Sequence, residues 1–92
     1  MKKTFVELKY SNELSIEWVG VLEATISKFF SKRGAWINKS KCRFIIREEL
    51  EVCEEEIAIL KNESEMGELK LREIDIHDET LTEEEKSWMM GQ

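Results

Sequence analysis

The sequence predicts an α+β fold: a small, mainly antiparallel sheet with a long N-terminal helix (about 13–32) packed on one face, and one or two further helices. Three observations support this prediction. An alternating segment opens the chain, an apolar stripe with helical spacing follows it, and further alternating segments lie beyond. Because a chain of 92 residues is large enough for one core only, we expect residues 1–92 to form a single domain.

The first strand is predicted over 4–10, where apolar and charged side chains alternate. The helix after it is predicted from apolar residues spaced three and four positions apart. These residues are Leu14, Trp18, Leu22, Ile26 and Phe29, with Val19 and Phe30 beside them. Ser11 and Asn12 offer a cap at the start of this helix, and Gly34 is placed to end it.

The segment 41–61 contains no residue that clearly breaks a helix or a strand, so its charges guide the prediction. A single helix would place Lys41, Arg43 and Arg47 at its positive end, against the helix dipole. We therefore predict a strand over about 41–47, paired with 35–37 through a turn at 38–40. A helix over 48–61 should follow, and the alternative for its last part is a hairpin strand.

The final strand is predicted over 68–77, where the apolar parity switches between Leu71 and Ile74. Such a switch indicates either a bulge or a strand whose two halves face different neighbours. After it, Thr82 and Glu85 have the spacing of a capping box and predict a short C-terminal helix. The apolar residues of that helix should either dock on the domain or contact another chain. They are Trp88, Met89 and Met90.

Charge is unevenly distributed along the chain. Residues 1–47 hold ten Lys and Arg against four Glu, and residues 48–92 hold four against sixteen Asp and Glu. Dense carboxylates attract basic partners and repel nucleic acid. The leading hypothesis is therefore a non-enzymatic, small acidic binding or inhibitor protein that occupies a basic surface of a larger protein, such as one that handles nucleic acid. Its predicted contact residues are Glu54, Glu55, Glu56, Asp75, Asp78 and Glu79.

Two alternatives use the basic segment 28–47, which holds seven basic residues, no acidic residue and several aromatic ones. Basic groups neutralise phosphates and exposed aromatic rings stack on bases, so one alternative is a small nucleic-acid-binding or regulatory protein. Its candidate residues are Lys32, Arg33, Trp36, Lys39, Lys41 and Arg43. The other alternative is a homo-oligomer that pairs basic and acidic halves of different copies. A simpler interpretation is that both halves are solvated or neutralise each other within one chain.

The sequence indicates neither an enzyme nor a cofactor or metal site. It has one histidine, His77, and no glycine-rich phosphate loop. The possible metal ligands match no zinc spacing. They are Cys42, Cys53, Asp75 and His77. Both cysteines are expected to be buried free thiols.

The opening Lys2 and Lys3 are not followed by the apolar run of a signal peptide, and no segment approaches the roughly 20 apolar residues of a membrane span. We therefore expect a cytoplasmic protein without membrane contact. No family is recognised in these residues. In size, acidity and lack of motifs the chain resembles, in character only, the inhibitor proteins encoded by phages and mobile elements.

Overall fold

The computed structural model describes residues 4–30 and 34–91. It has an α+β fold, as predicted, with four strands in one antiparallel sheet of order β2-β3-β1-β4 and three helices. In chain order the elements are β1 (Phe5–Lys9), α1 (Ile16–Phe30), β2 (Ala35–Asn38), β3 (Arg43–Ile46), α2 (Leu50–Lys61), β4 (Lys70–Ile74) and α3 (Glu83–Met89).

The strand pairing defines the topology. β1 and β2 both pair antiparallel with β3, which lies between them, so they run in the same direction. β3 and β4 are related in the same way across β1. Because α1 connects the first pair and α2 the second, the first six elements have the βαββαβ arrangement of ferredoxin-like folds.

The main core lies between the sheet and the two longer helices. Val6, Leu8 and Tyr10, the apolar positions of the first alternating segment, all point into it. The helices contribute a second set of buried side chains, and each fully buried one stabilises the fold by about 1.5–3 kcal/mol. This set comprises Leu22, Ile26 and Phe30 of α1 and Cys53, Ile57 and Leu60 of α2.

The helix predicted over 13–32 is present as α1, but the prediction that it is long and N-terminal was wrong. α1 follows a strand, has 15 residues and begins at Ile16. The reason is the cap: the Ser15 hydroxyl accepts the N–H of Trp18 at 3.3 Å, whereas Ser11 forms a separate turn before it. The predicted last residues of the helix, 31–32, lie outside the described residues.

One expected core residue of α1 is also misplaced. Phe29 is 47% exposed, with the Lys28 ammonium 5.6 Å from its ring centroid. Phe30 is buried instead, because the buried stripe runs in four-residue steps from Leu22 through Ile26. The apolar period was therefore correct, but its last member was assigned one position too early.

The middle of the chain agrees with the predicted strand and helix. β3 pairs with β2 through the turn expected at 38–40. α2 extends to Lys61, so the last part of this segment is helical and not the alternative hairpin strand. β4 keeps a continuous register with β1, from Phe5 opposite Ile74 to Leu8 opposite Leu71, so of the two alternatives the strand whose halves face different neighbours is confirmed and the bulge is not. The parity switch arises because Leu71 faces α1 and α2 whereas Ile74 faces α3.

The C-terminal helix docks on the opposite face of the sheet. Both bonds of its capping box form: the Thr82 hydroxyl accepts the N–H of Glu85 at 3.1 Å, and the Glu85 carboxylate accepts that of Thr82 at 2.9 Å. Met89 is buried, and the Trp88 ring centroid lies 6.3 Å from that of Phe5. A smaller apolar cluster therefore covers this face. It comprises Phe5, Ile45, Ile74, Leu81 and Met89.

Candidate interaction surfaces

A buried ion network lies beside the smaller apolar cluster. Arg43 of β3 has a side chain only 3% exposed, and its guanidinium donates to Glu7 at 2.9 Å and to Glu85 at 2.8 Å. The hydroxyl and carbonyl oxygens of Thr80 accept two further bonds from Arg43, at 2.7 and 2.9 Å. A second contact with Glu85 completes the set, so every N–H of this guanidinium is used.

Arg72 of β4 extends the network towards solvent. It donates to Glu7 at 2.8 Å and to Asp78 at 2.7 Å. The bond from Arg72, together with two bonds from Thr80, holds the pKa of Asp78 well below its usual range. The turn after β4 is thereby fixed against the sheet.

The Glu85 carboxylate is fully buried and fully satisfied. Burial raises its pKa, but bonds from Arg43, Thr82 and Asn38 together bring that pKa below its ordinary value. A satisfied buried network of this kind specifies position more than it adds net stability. Its effect here is to set where α3 sits on the sheet, because Glu85 also belongs to the capping box of that helix.

The basic-aromatic candidates are only partly available to a partner. Arg43 is buried, and Trp36 is half-buried with its ring centroid 6.2 Å from that of Trp88. Arg47 lies 4.4 Å over the Trp88 ring and donates to the Trp88 carbonyl. Lys39 and Lys41 are exposed. The remaining two candidates, Lys32 and Arg33, lie outside the described residues. Of the three basic residues in the segment predicted as a strand over 41–47, only Lys41 is therefore exposed.

The acidic candidates fall in two places. Glu54 and Glu55 are exposed on α2 and Glu56 is half-buried there, whereas Asp75 and Glu79 are exposed in the turn after β4. The sixth candidate, Asp78, is occupied by Arg72. The structure therefore leaves five of these carboxylates without an ion pair to another described residue.

The outer side of α2 combines charge with an exposed apolar residue. Ile59 is 76% exposed and lies four positions after Glu55 and eight after Glu51, on the same side of the helix. Neither glutamate, nor the neighbouring Glu54, is ion-paired within the described part of the chain. We call this the α2 surface. It comprises Glu51, Glu54, Glu55, Ala58 and Ile59.

A basic groove beside the edge strand β4 was missed by sequence reasoning. Four lysines far apart in the chain line a cavity of about 730 Å³ at the end of β1. We call it the lysine groove, and its lysines are Lys9, Lys41, Lys61 and Lys70. Only the strand register could have revealed it, because pairing places Lys9 directly opposite both Arg43 and Lys70.

The two cysteines differ in burial. Both cysteines are free, and burial, then the charges of Glu48 and Glu54, raises the pKa of Cys53 to about 12. Cys53 is therefore a protonated core side chain rather than a nucleophile. Cys42 is half-buried rather than buried. Within residues 4–30 and 34–91, no group of three or more His, Cys, Asp or Glu side chains is placed to hold a metal ion.

Two further findings concern the chain as a whole. None of the helices in the described ranges combines the length and the apolar character that crossing a membrane requires. No protein-family model matches the chain, and no curated protein or solved structure matches it.

Proposed function

We propose that the protein is a non-enzymatic binding protein whose α2 surface occupies a basic surface of a larger protein. The observation that carries this proposal is the α2 surface itself. Its carboxylates are exposed and have no ion pair with another described residue, and an exposed isoleucine lies one turn after Glu55 on the same side of the helix. Apolar contacts with charged residues around them are the usual composition of a protein–protein interface.

The two parts of this surface have different roles. Glu51, Glu54 and Glu55 attract a basic partner and orient it as it approaches. Ile59 enters an apolar depression on that partner and slows its release, as a central anchor does in most interfaces. Recognition through one face of a helix, with contacts three, four and seven positions apart, is a recurrent form of protein binding.

The surface is preorganised by the core beneath it. Cys53, Ile57 and Leu60 on the inner side of α2 are buried, so the outer side is presented on a fixed element and loses little conformational entropy on binding. Asp75 extends the negative field, because β3 and β4 run in the same direction and both end near the start of α2.

The proposed partner class follows from charge. Proteins that hold nucleic acid present lysines and arginines that neutralise phosphates. A carboxylate-rich helix of the kind seen here would compete for those side chains. The nucleic-acid-binding alternative through 28–47 has less support, because Trp36, Arg43 and Arg47 are occupied within the fold. Pairing between copies stays a prediction.

Affinity purification with mass spectrometry, followed by binding measurements with the purified partner, tests the proposal. Glu54→Lys combined with Glu55→Lys should weaken binding at least about tenfold, since these charges would now repel the partner. Glu13→Lys with Glu17→Lys is the matched control, because it changes net charge equally at exposed positions before and in α1. Equal weakening by both variants, or by neither, would refute the α2 surface.

An uncharged pair of variants tests the anchor separately. Ile59→Ala should raise the dissociation rate, because the partner's apolar contact is lost. Ile16→Ala removes the same atoms from a residue that is 88% exposed at the start of α1, and it should leave the rate unchanged. An unchanged rate for Ile59→Ala would remove this residue from the interface.

A further inference from the structure

We propose that the lysine groove binds an anion that carries several linked phosphate groups. This site is separate from the α2 surface. Lys61 is the last residue of α2 and lies two positions after Ile59, a spacing of about 200° around the axis, so the two sites lie on different sides of one helix. Either site can therefore fail in an experiment without the other.

The sheet register brings positive charges together at a cost. Arg43, Lys9 and Lys70 are neighbours on three adjacent strands, with Lys9 in the middle. Side chains paired in this way point to the same face, and like charges directly opposite each other destabilise a sheet. Arg43 is neutralised by Glu7 and Glu85, but among the described residues no buried carboxylate forms an ion pair with Lys9 or Lys70.

Very little negative charge from the chain itself reaches the groove. Glu7 is the one carboxylate among the described residues that line it, and Arg43 and Arg72 already use both of its oxygens. Lys70 has a contact of 3.8 Å with Glu68, but both side chains are largely exposed and such pairs are weak. Lys9, Lys41 and Lys61 have no ion pair with another described residue.

The volume of the groove suits a small ligand. Its volume of about 730 Å³ lies within the range of roughly 300–1,000 Å³ typical of small-molecule sites. Thr80 and Arg72, both fixed by the buried network, form part of its lining. The ligand therefore contacts two side chains that the network holds in place, Thr80 and Arg72, and the lysine side chains around them.

The lysines define the chemistry of the ligand. An ammonium is a point charge with three rotatable donors and is a common phosphate binder, whereas arginine adds a planar fork that matches carboxylate or phosphate through two parallel bonds. Several ammonium groups around one cavity require several negative charges in a small space, which linked phosphates provide. No aromatic residue is among the described residues lining the groove, so it offers no stacking for bases and recognition depends on the phosphates.

Isothermal titration calorimetry at low salt with two probes tests the proposal. The probes are inorganic tripolyphosphate and a short single-stranded oligodeoxythymidylate. We expect saturable binding by the wild-type protein, and at least about tenfold weaker binding by Lys9→Gln with Lys70→Gln, because each lysine donates charged hydrogen bonds to phosphate. Tighter binding of tripolyphosphate would identify a free polyphosphate as the ligand, and tighter binding of the oligonucleotide a nucleic-acid backbone.

A matched control separates the groove from general charge. Lys28→Gln with Lys39→Gln removes the same two charges from exposed positions that do not line the groove, and it should keep wild-type affinity. For the oligonucleotide, the groove variant should also lower the slope of log K against log salt by about 1.4, at about 0.7 per phosphate contact. Absence of binding by the wild type, or an equal loss in both variants with unchanged melting curves, would overturn the proposal.

Discussion

The two faces of the sheet are covered in different ways. On one face, α1 and α2 pack against side chains that are apolar throughout, such as Leu8, Phe44 and Ile46. On the other face, α3 covers a smaller apolar cluster and also a buried network of charged groups around Arg43. The first face is stabilised by burial that has no preferred direction, and the second also by bonds that require particular atoms in particular places.

This difference explains how each face responds to change. An apolar layer tolerates substitutions of similar volume and loses stability in proportion to what is removed. A buried ion network tolerates the loss of a member poorly, because the remaining charge stays buried without a partner. The α3 face should therefore be more sensitive to single substitutions and to pH than its smaller size suggests.

The largest expected effect comes from Arg43→Ala. This change leaves the buried Glu85 without its cation and Glu7 with only Arg72, and it should lower the free energy of unfolding by about 3–5 kcal/mol. Urea denaturation followed by tryptophan fluorescence measures it. A loss below about 1 kcal/mol would show that the network is solvated rather than buried.

Lowering the pH should have the second-largest effect, and it should change the stability of the two faces of the sheet differently. The pKa of Glu85 is lowered on folding from its ordinary 4.5, so its contribution to stability is complete above that value and is lost as pH falls through the folded pKa. The cost of Arg43→Ala should therefore shrink as pH falls from neutral through 4.5 towards the lowered pKa of Glu85, where this carboxylate becomes protonated. The cost of Leu22→Ala on the apolar face, about 2–5 kcal/mol, should stay constant. Parallel changes in both variants would contradict this account.

A gain in stability is expected at the lysine groove. Lys70→Glu replaces a like-charge pair with an opposite-charge pair across β1 and β4, and should raise the free energy of unfolding by about 0.2–1 kcal/mol. Lys39→Glu is the control, because it changes net charge equally in a turn without a lysine opposite. Thermal melting at low salt compares the two, and equal shifts would assign the effect to net charge alone.

The smallest effect concerns the α2 surface. Glu54→Lys with Glu55→Lys changes exposed side chains only, so the free energy of unfolding should change by no more than about 0.5 kcal/mol. Chemical denaturation checks this. A larger loss would mean that these glutamates stabilise the fold, and weaker partner binding by this variant could no longer be assigned to the interface.

The sequence predicted the α1 and α2 face better than the α3 face. Alternation in β1 and helical spacing in α1 are local patterns, so the positions of Val6, Leu8, Leu22 and Ile26 follow from them. The capping box that starts α3 was equally local and was confirmed. The Gly34 backbone has a φ of 91°, which agrees with its expected place after a helix.

The candidate sites were predicted less completely, because their groups meet only through long-range pairing. Arg43 lies 36 positions from Glu7 and 42 from Glu85, and no local pattern links them. The same holds for Lys9 and Lys70, which come together only through the register of β1 with β4. The exposure of Glu54 and Glu55 could be predicted from the sequence, because helical spacing places them on a different side of α2 from the buried Ile57.

The double use of Glu85 has a consequence for the order in which the domain assembles. A helix of seven residues does not persist alone in water, and the carboxylate that caps α3 is the same group that receives Arg43. Nucleation of this last helix and its docking are therefore one cooperative event rather than two. Amide protons of α3 should exchange together with those of β3, since the C-terminal segment cannot peel away without exposing the sheet beneath it.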